Sequence, residues 1–366
     1  MLVRRARPLV LTLPPAGLQA FNFLTRQGIP CDPLSVDILA RAGDWSPAPA
    51  LVESYPPPAR PAVDTEVRRL VEATCLVVAG TPAAARDAQY EAEWAWGETA
   101  GLYHFSLKEC EFLPTPQANQ WLEYQTQTTP APPLYRTNAE FGSEFALERP
   151  KLDEGIFSIM SARRSERVFR PDPIPVEALS ECLFAGLGIT GFLDVPIPGH
   201  APLPLKMAPS GGGRNPYEAY VYAQRVDGLP AGIYHYSAVE HSLAVVREPP
   251  LPPPRLLFGG QEWTDGAAAI ILLVAHFQRT MWKYPHPSAY RVVLIEAGHI
   301  GQNIALAAAT HDLAAIPVAA LNDTLDSEVL GIDFVNDSVV CGLILGSRPE
   351  PGAEGVLERQ LFSVHE

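Results

Sequence analysis

Met207-Ala-Pro-Ser-Gly-Gly-Gly-Arg-Asn-Pro-Tyr-Glu-Ala-Tyr-Val-Tyr222 is the stretch from which the fold is read. Pro209 and Ser210 open a turn. Gly211, Gly212 and Gly213 then carry no Cβ, so the backbone can approach something flat or charged. Arg214 adds a permanent cation. Pro216 closes the loop, and Tyr217 to Arg225, rich in Tyr and Val, predicts a strand. A dinucleotide fingerprint needs a strand before its glycines and a helix after them, whereas here the strand follows. A phosphate loop of the ATPase kind is excluded because no Gly-Lys-Ser/Thr follows the glycines. The plain alternative is a Gly-rich loop in front of a strand, and the rest of the chain decides between them.

The chain has 366 residues, enough for one large or two modest domains. A hydrophobic content of 47% supports a sizeable core. Without an apolar run of about 18 residues, no membrane span is expected. The basic start is interrupted by Pro8, Pro14 and Pro15, so it reads as a first strand and not as a signal peptide. Cys31, Cys75, Cys110, Cys182 and Cys341 are scattered, which fits free thiols in a reducing cytoplasm. A net charge of −14 disfavours nucleic acid as a partner.

In the N-terminal third, Pro8–Leu13 and Ala20–Thr25 predict strands around Pro14–Gly17. Asp32 caps a helix over Leu34–Ala42, and a second short helix spans Pro47–Ser54. Asp64 is expected to cap a third helix, Thr65–Val78, stopped by Gly80. Three short helices with flanking strands predict a small winged-helix-like domain over residues 1–112. Residues 1–150 hold 12 Lys+Arg against 17 Asp+Glu, so peptide binding is favoured over DNA; a purely structural cap is the third use. The aromatics of 94–105 read as packing, with His104 as a candidate for function. Residues 113–150 lose periodicity and gain Pro, Thr and Gln, which predicts an extended linker.

Residues 151–366 read as a second domain. Leu152–Ala162 is a helix that runs into Arg163-Arg164-Ser165-Glu166-Arg167, where three guanidiniums and a hydroxyl can surround a phosphate. A helix over Pro175–Leu187, a hairpin around Ser237–Glu240, a buried strand in Gly266–Phe277 and a long helix over Tyr290–Leu313 follow. Ala315–Leu321 reads as a turn-like segment, Ser327–Leu330 as a helix and Val339–Leu345 as a last strand. The mixture predicts an α+β domain with a mostly antiparallel sheet flanked by helices. The histidines show no metal spacing such as HExxH, so no metal is expected.

With these motifs in order, residues 151–348 resemble the flavin-dependent nitroreductase superfamily. Within it they resemble the SagB-type dehydrogenases, which oxidise thiazoline and oxazoline rings in ribosomally made peptides. The motifs are Arg163-Arg164-Ser165-x-Arg167 after a helix, and Pro209-Ser210-Gly-Gly-Gly-Arg214-x-Pro216. Trp282-Lys283-Tyr284 ahead of Tyr290-Arg291 and Glu296-Ala-Gly-His299, and Ile316-Pro317-Val318-Ala319-Ala320, complete the set. The N-terminal third more loosely resembles the winged-helix peptide clamp attached to such enzymes. Pro285-His286-Pro287-Ser288 departs from the subfamily's pattern, which is polar or basic there, and bears on the substrate side.

The resemblance implies FMN as cofactor. Arg163, Arg164, Ser165 and Arg348 would hold its phosphate, and Arg167 would lie near the pyrimidine edge. Pro209, Ser210, Gly211, Gly212 and Arg214 would approach the ring from the partner subunit of a homodimer. Backbone at Pro317, Val318 and Ala319 would face the flavin ring. Lys283 and Tyr284 would remove the azoline ring proton, which requires a lowered Lys pKa. The implied partners are a peptide or peptide-derived substrate and a cyclodehydratase. The competing readings are an NAD(P)H-dependent nitroreductase or small-molecule flavin oxidase, and a non-catalytic flavin-fold binding subunit.

Overall fold

The computed structural model describes residues 1–130, 151–196 and 201–350. The N-terminal part contains β1 (Leu2–Arg5), β2 (Leu9–Thr12), β3 (Gln19–Asn22), β4 (Gln27–Pro30) and α1 (Pro33–Arg41). After these come β5 (Ser46–Pro47), α2 (Ala48–Glu53), α3 (Arg60–Glu72) and β6 (Leu76–Val78). Two small antiparallel sheets result, in the orders β5-β1-β6 and β2-β3-β4. Asp32 starts α1 through a capping box: it accepts from the Ser35 amide at 2.8 Å, and Ser35 Oγ accepts from the Asp32 amide at 3.1 Å. Val3, Ile38, Leu39, Val67, Leu70 and Leu76 close a separate small core.

The third helix differs from its sequence-based bounds. It starts at Arg60, so Asp64 lies inside it and pairs with Arg68 one turn on at 2.8 Å. It ends at Glu72, and Thr74 then adopts a left-handed φ of 53°. That turn frees Leu76–Val78 to pair with β1, where Val3 faces Val78. Cross-strand pairing thus overrides the helical spacing of that segment.

Next come α4 (Pro82–Glu93), capped by Thr81, and α5 (Gly97–Ser106). Their aromatic side chains join the larger C-terminal core. Phe277 stands edge-on to both Trp94 and Trp96, and the Trp96 indole donates to the Tyr284 carbonyl at 2.8 Å. The stretch expected to be extended carries a helix, α6 (Thr115–Thr128), lying mostly in solvent. The remainder of that stretch, 131–150, lies outside the described residues.

The C-terminal part opens with α7 (Gly155–Ala162), α8 (Val176–Leu187), β7 (Ile189–Leu193), β8 (Leu203–Lys206) and β9 (Tyr217–Ala223). The hairpin β10 (Gly232–Ser237) and β11 (Ser242–Arg247) follows, then α9 (Pro254–Leu257), β12 (Ala269–His276) and α10 (Phe277–Met281). The chain continues through α11 (Ala289–Thr310), β13 (Leu313–Val318), α12 (Asp323–Leu330) and β14 (Asp337–Ser347). Six strands form one antiparallel sheet in the order β11-β10-β9-β12-β14-β13. Alternate residues serve its two faces. Tyr217, Ala219 and Val221 lie in the core with α8 and α11, while Tyr222, Ile270 and Leu272 fill the opposite layer. β12 is central and covered on both sides, which is why it reads as an unbroken apolar run.

One further expectation changes. The segment read as turn-like at 315–321 is largely β13, an edge strand, and only an edge readily accepts Pro317 without its N–H. The long helix α11 is apolar enough, by length and composition alone, to cross a bilayer. Here it is a core helix: Val293, Ile300, Ile304 and Ala308 are buried, and so is the carboxyl-bearing Glu296.

Candidate functional site

The sequence-predicted residues gather in three places around the six-stranded sheet. The first lies at the C-terminal end of β14. Arg348 follows that strand, and its Nη2 donates to the Ala162 carbonyl at 3.0 Å, where α7 ends. Its Nε is 3.8 Å from Glu166, and its Nη1 is 3.4 Å from Asp312. This pins Arg348 beside the run Arg163–Arg167. Ser165 and Arg167 are exposed, and Arg167 lies over the Trp263 ring at 5.6 Å. Among the described residues no carboxylate is within ion-pair distance of Arg163, Arg164 or Arg167. Arg348 Nε is buried with no hydrogen-bond partner. A cluster of cations with unspent donors fits a bound phosphate.

The second place lies at the opposite end of the sheet, before β9 and after β12. Ser210 turns the loop by accepting from the Asn215 amide at 2.8 Å. The Gly211 amide donates to Glu296 on α11 at 3.3 Å. Burial pushes the Glu296 carboxyl up, opposed by its bonds to Ser210 and Gly211. Gly212 has a φ of 63°, a left-handed conformation. A Cβ there would overlap the Tyr284 hydroxyl and stand 2.9 Å from Lys283 Nζ. Lys283 Nζ donates to the Gly212 carbonyl at 3.0 Å. Arg214 Nε donates to the Arg279 carbonyl at 2.7 Å, and its guanidinium covers the Trp282 ring at 4.5 Å. The glycines and the Lys-Tyr pair, about 70 residues apart in sequence, therefore form one unit. Lys283 and Trp282 are exposed to solvent.

The third place is the edge strand. Pro317 and Val318 end β13, and Ala319 follows them into solvent. Leu313 opposes Ser347 next to Arg348, and Val318 opposes Gly342. The edge from Leu313, beside Arg348, to Val318 thus spans five residue steps, on the order of 17 Å. That distance suits a phosphate at one end and a ring at the other. The Gly-rich loop sits at the ring end but three strand spacings away, on the order of 14 Å across the sheet. Within one chain, the loop and the phosphate cluster occupy opposite ends of the sheet.

The sequence reading missed a charged network under the Gly-rich loop. Glu218 on β9 bonds His235 Nε2 at 2.8 Å and pairs with Arg279, and His276 Nε2 is 3.4 Å away. His276 Nδ1 is 2.7 Å from Asp337. Bonding to His276 and Arg279 holds the Glu218 carboxyl well below the usual range. Burial opposes a charge on His276, but Asp337 and Glu218 outweigh it and raise the imidazole to about 9. Arg279 also donates to the Asn215 carbonyl at 3.2 Å, so the network braces the loop from below. These residues lie on four strands, β9, β10, β12 and β14, and on α10, with no local motif to betray them.

An α+β fold with an antiparallel central sheet, a cationic cluster at one end and a glycine loop at the other defines a flavoprotein-like oxidoreductase scaffold. The sequence pattern of the nitroreductase family matches residues 160–347, more than half of the chain, and the chain belongs to that family. The family is FMN-dependent. MJ1384 of Methanocaldococcus jannaschii, a protein named for the nitroreductases, is 29% identical over 196 residues, covering 52% of this chain and 92% of that one. The trifolitoxin-processing protein TfxB of Rhizobium leguminosarum bv. trifolii is 30% identical over 151 residues. That match covers 38% of this chain, and the chain spans only 39% of TfxB. Among solved structures, a chain of the E. coli microcin synthetase McbBCD complex aligns at 18% identity with a TM-score of 0.46, over 73% of this chain and 93% of that one.

Proposed function

We propose that this protein is an FMN-dependent dehydrogenase that oxidises azoline rings, thiazoline or oxazoline, in a peptide or peptide-derived substrate. The observation that carries the reading is the convergence of Lys283 and Tyr284 on the Gly212 turn. A reductase supplied with hydride by NAD(P)H has no need of a Lys-Tyr pair at that turn. The partial likeness to a trifolitoxin-processing protein supports the same direction.

FMN, when bound, supplies a two-electron acceptor for hydride. The chain's own residues do the rest. Arg163, Arg164, Ser165 and Arg348 would hold the phosphate, and Arg167 would offer a cation toward the ring's polar edge. The Val318 and Ala319 backbone would face the flavin ring. Lys283 takes the ring proton of the substrate, and Tyr284 orients or relays it. A lysine does this only when neutral, and within a single chain Lys283 faces water. A second subunit supplies the missing cover in this reading. Val292 and Ile295 on α11 are exposed, as are Trp282 and Tyr284, and Ile156, Phe157 and Met160 on α7. Such a patch supports a homodimer in which each glycine loop approaches the ring end of the partner's edge strand. The N-terminal part, residues 1–112, is the proposed clamp for the peptide, followed by a linker over 113–150, and a cyclodehydratase is the proposed partner. The five unpaired thiols support a reducing, cytoplasmic setting.

The test gives FMN-loaded protein a thiazoline peptide in one arm and NADPH with a nitroaromatic in the other. The expected result is azole formation without NADPH. Turnover restricted to the NADPH arm replaces the dehydrogenase with a nitroreductase, and no turnover in either arm favours a binding subunit.

A further inference from the structure

A cavity of about 330 Å³ opens beside the glycine loop, between the end of α8, β8, the start of β9 and the end of β10. The pleat of β8 aims a lysine into it. Leu205 is 44% exposed, so alternation turns its neighbours Pro204 and Lys206 the other way, and both line the cavity. Arg214 and Asn215, the last residues of the glycine loop before Pro216, line it too. Leu187, Ile189 and Val239 supply apolar wall. An apolar wall with a few convergent polar groups is the usual form of a small-molecule pocket.

The charges that face this space do not balance. Arg279 and Glu218 line it but are spent on each other, and His235 is bonded to the same carboxylate at 2.8 Å. Arg214 gives its Nε to the Arg279 carbonyl and lays its guanidinium on Trp282. Lys206 is left over. Among the described residues its Nζ has no hydrogen-bond partner and no carboxylate within ion-pair distance. Burial, and then Arg279, bring the ammonium down to about 8, against the weaker pull of Glu296 and Glu218. An ammonium that has given up water without gaining a carboxylate is short of a partner. A phosphate dianion calls for several free donors, as at the Arg163–Arg167 run, whereas here one ammonium is free and Glu218 stands in the same wall. A single negative charge fits. The cavity is far larger than a carboxylate alone, and its apolar wall suits a hydrocarbon body.

We propose that this cavity binds a monocarboxylate with a short apolar body, its carboxylate on Lys206 Nζ and its body against Leu187, Ile189 and Val239. Two sources share this chemistry: a free short-chain acid, and the C-terminal carboxylate of a peptide that ends in an apolar residue. Neither Lys283 nor Tyr284 lines the cavity, so the site is distinct from the proposed proton-transfer pair and does not depend on the reaction proposed above. Because Arg214 and Asn215 belong to the glycine loop, an occupant would touch that loop from the side away from Lys283 and Tyr284.

The experiment uses the full chain loaded with FMN, at neutral pH. Hexanoate and hexanamide are one pair of probes; N-acetyl-Gly-Leu with a free C-terminus and its amide are the other. Calorimetric titration should show at least one acid binding roughly 10–100-fold more tightly than its amide, the worth of one charge-assisted hydrogen bond. Lys206→Met keeps most of the stem and removes the charge. It should weaken the acid by the same factor and leave the amide unchanged, and Lys206→Arg should keep most of the acid's affinity. Unliganded Lys206→Met should melt no lower than the wild type, because it removes an unpaired, half-buried charge. Should it melt lower, the acid–amide comparison on the wild type still decides the question. Tighter binding of hexanoate assigns the cavity to free acids, and tighter binding of the peptide acid assigns it to a C-terminus. Acid and amide binding alike, no binding of either acid, or acid binding undiminished in Lys206→Met overturns the inference.

Discussion

The two ends of the six-stranded sheet are built on different principles. At the β14 end, no carboxylate among the described residues pairs with Arg163, Arg164 or Arg167, and the buried Arg348 Nε makes no hydrogen bond, with Glu166 3.8 Å away. Its specificity is charge awaiting a charge. At the β9 end, nearly every polar group is already spent on another: Lys283 on Gly212, Arg214 on Arg279, and Arg279 on Glu218 and Asn215. Its specificity is shape, because the glycines leave no room for a side chain. A site of the first kind tolerates small displacements and responds to salt. A site of the second kind responds to one added methyl group.

Four substitutions or conditions can break or sharpen that contrast. The largest effect is expected from Lys283→Ala, which should lower azoline oxidation by about 10²–10⁴-fold, the usual worth of a positioned base. FMN content should be unchanged, and Tyr284→Phe should cost less if it only orients. Full turnover in Lys283→Ala would remove the residue from the chemistry. Next is Arg348→Ala at the other end. Losing one charge-assisted hydrogen bond should weaken FMN by about 10–100-fold, with affinity falling further as salt rises. Equal FMN affinity at low and high salt in the wild type would show that the cationic cluster does not hold the phosphate.

Gly212→Ala should destabilise the apoprotein by about 1–3 kcal/mol, because it puts a Cβ on a left-handed residue and against Tyr284. Thermal melting without FMN is the readout, and an unchanged melting temperature would mean that the loop is looser than its packing indicates. The smallest effect is on pH dependence. The folded His276 is raised to about 9 from an ordinary 6.5, so its contribution is complete below pH 6.5 and lost as pH climbs through 9. Glu218 is depressed, so its contribution is present above its ordinary 4.5 and lost in acid. The apoprotein should therefore melt highest between roughly pH 5 and 6.5. His276→Gln should flatten the alkaline decline, and a decline that survives the substitution assigns it elsewhere.

Local chemistry made some of this readable in the chain. The capping box at Asp32, the apolar run of β12 and the glycines of 211–213 each state their structure through neighbours within four residues or a period of two. The helix expected over 65–78 and the turn expected over 315–321 misled because their outcome depends on a partner strand: β1 draws Leu76–Val78 into pairing, and β14 draws Leu313–Val318. The same limit hid the Glu218 network and the contact of His104 with Tyr290, which are joined across 61 and 186 residues.

By itself, then, the sequence determined the α+β class, the separate motifs and the chemical type of each. Side-chain identity and short-range periodicity are enough for that. Tertiary structure alone decided that Lys283 meets Gly212, that Arg348 meets the end of α7, and that these two meetings lie at opposite ends of one sheet. It also decided that α4 and α5 share a core with the C-terminal half. The physical reason is that strand order and core packing are set by non-local burial, in which each residue's partner is chosen by the whole fold and not by its place along the chain.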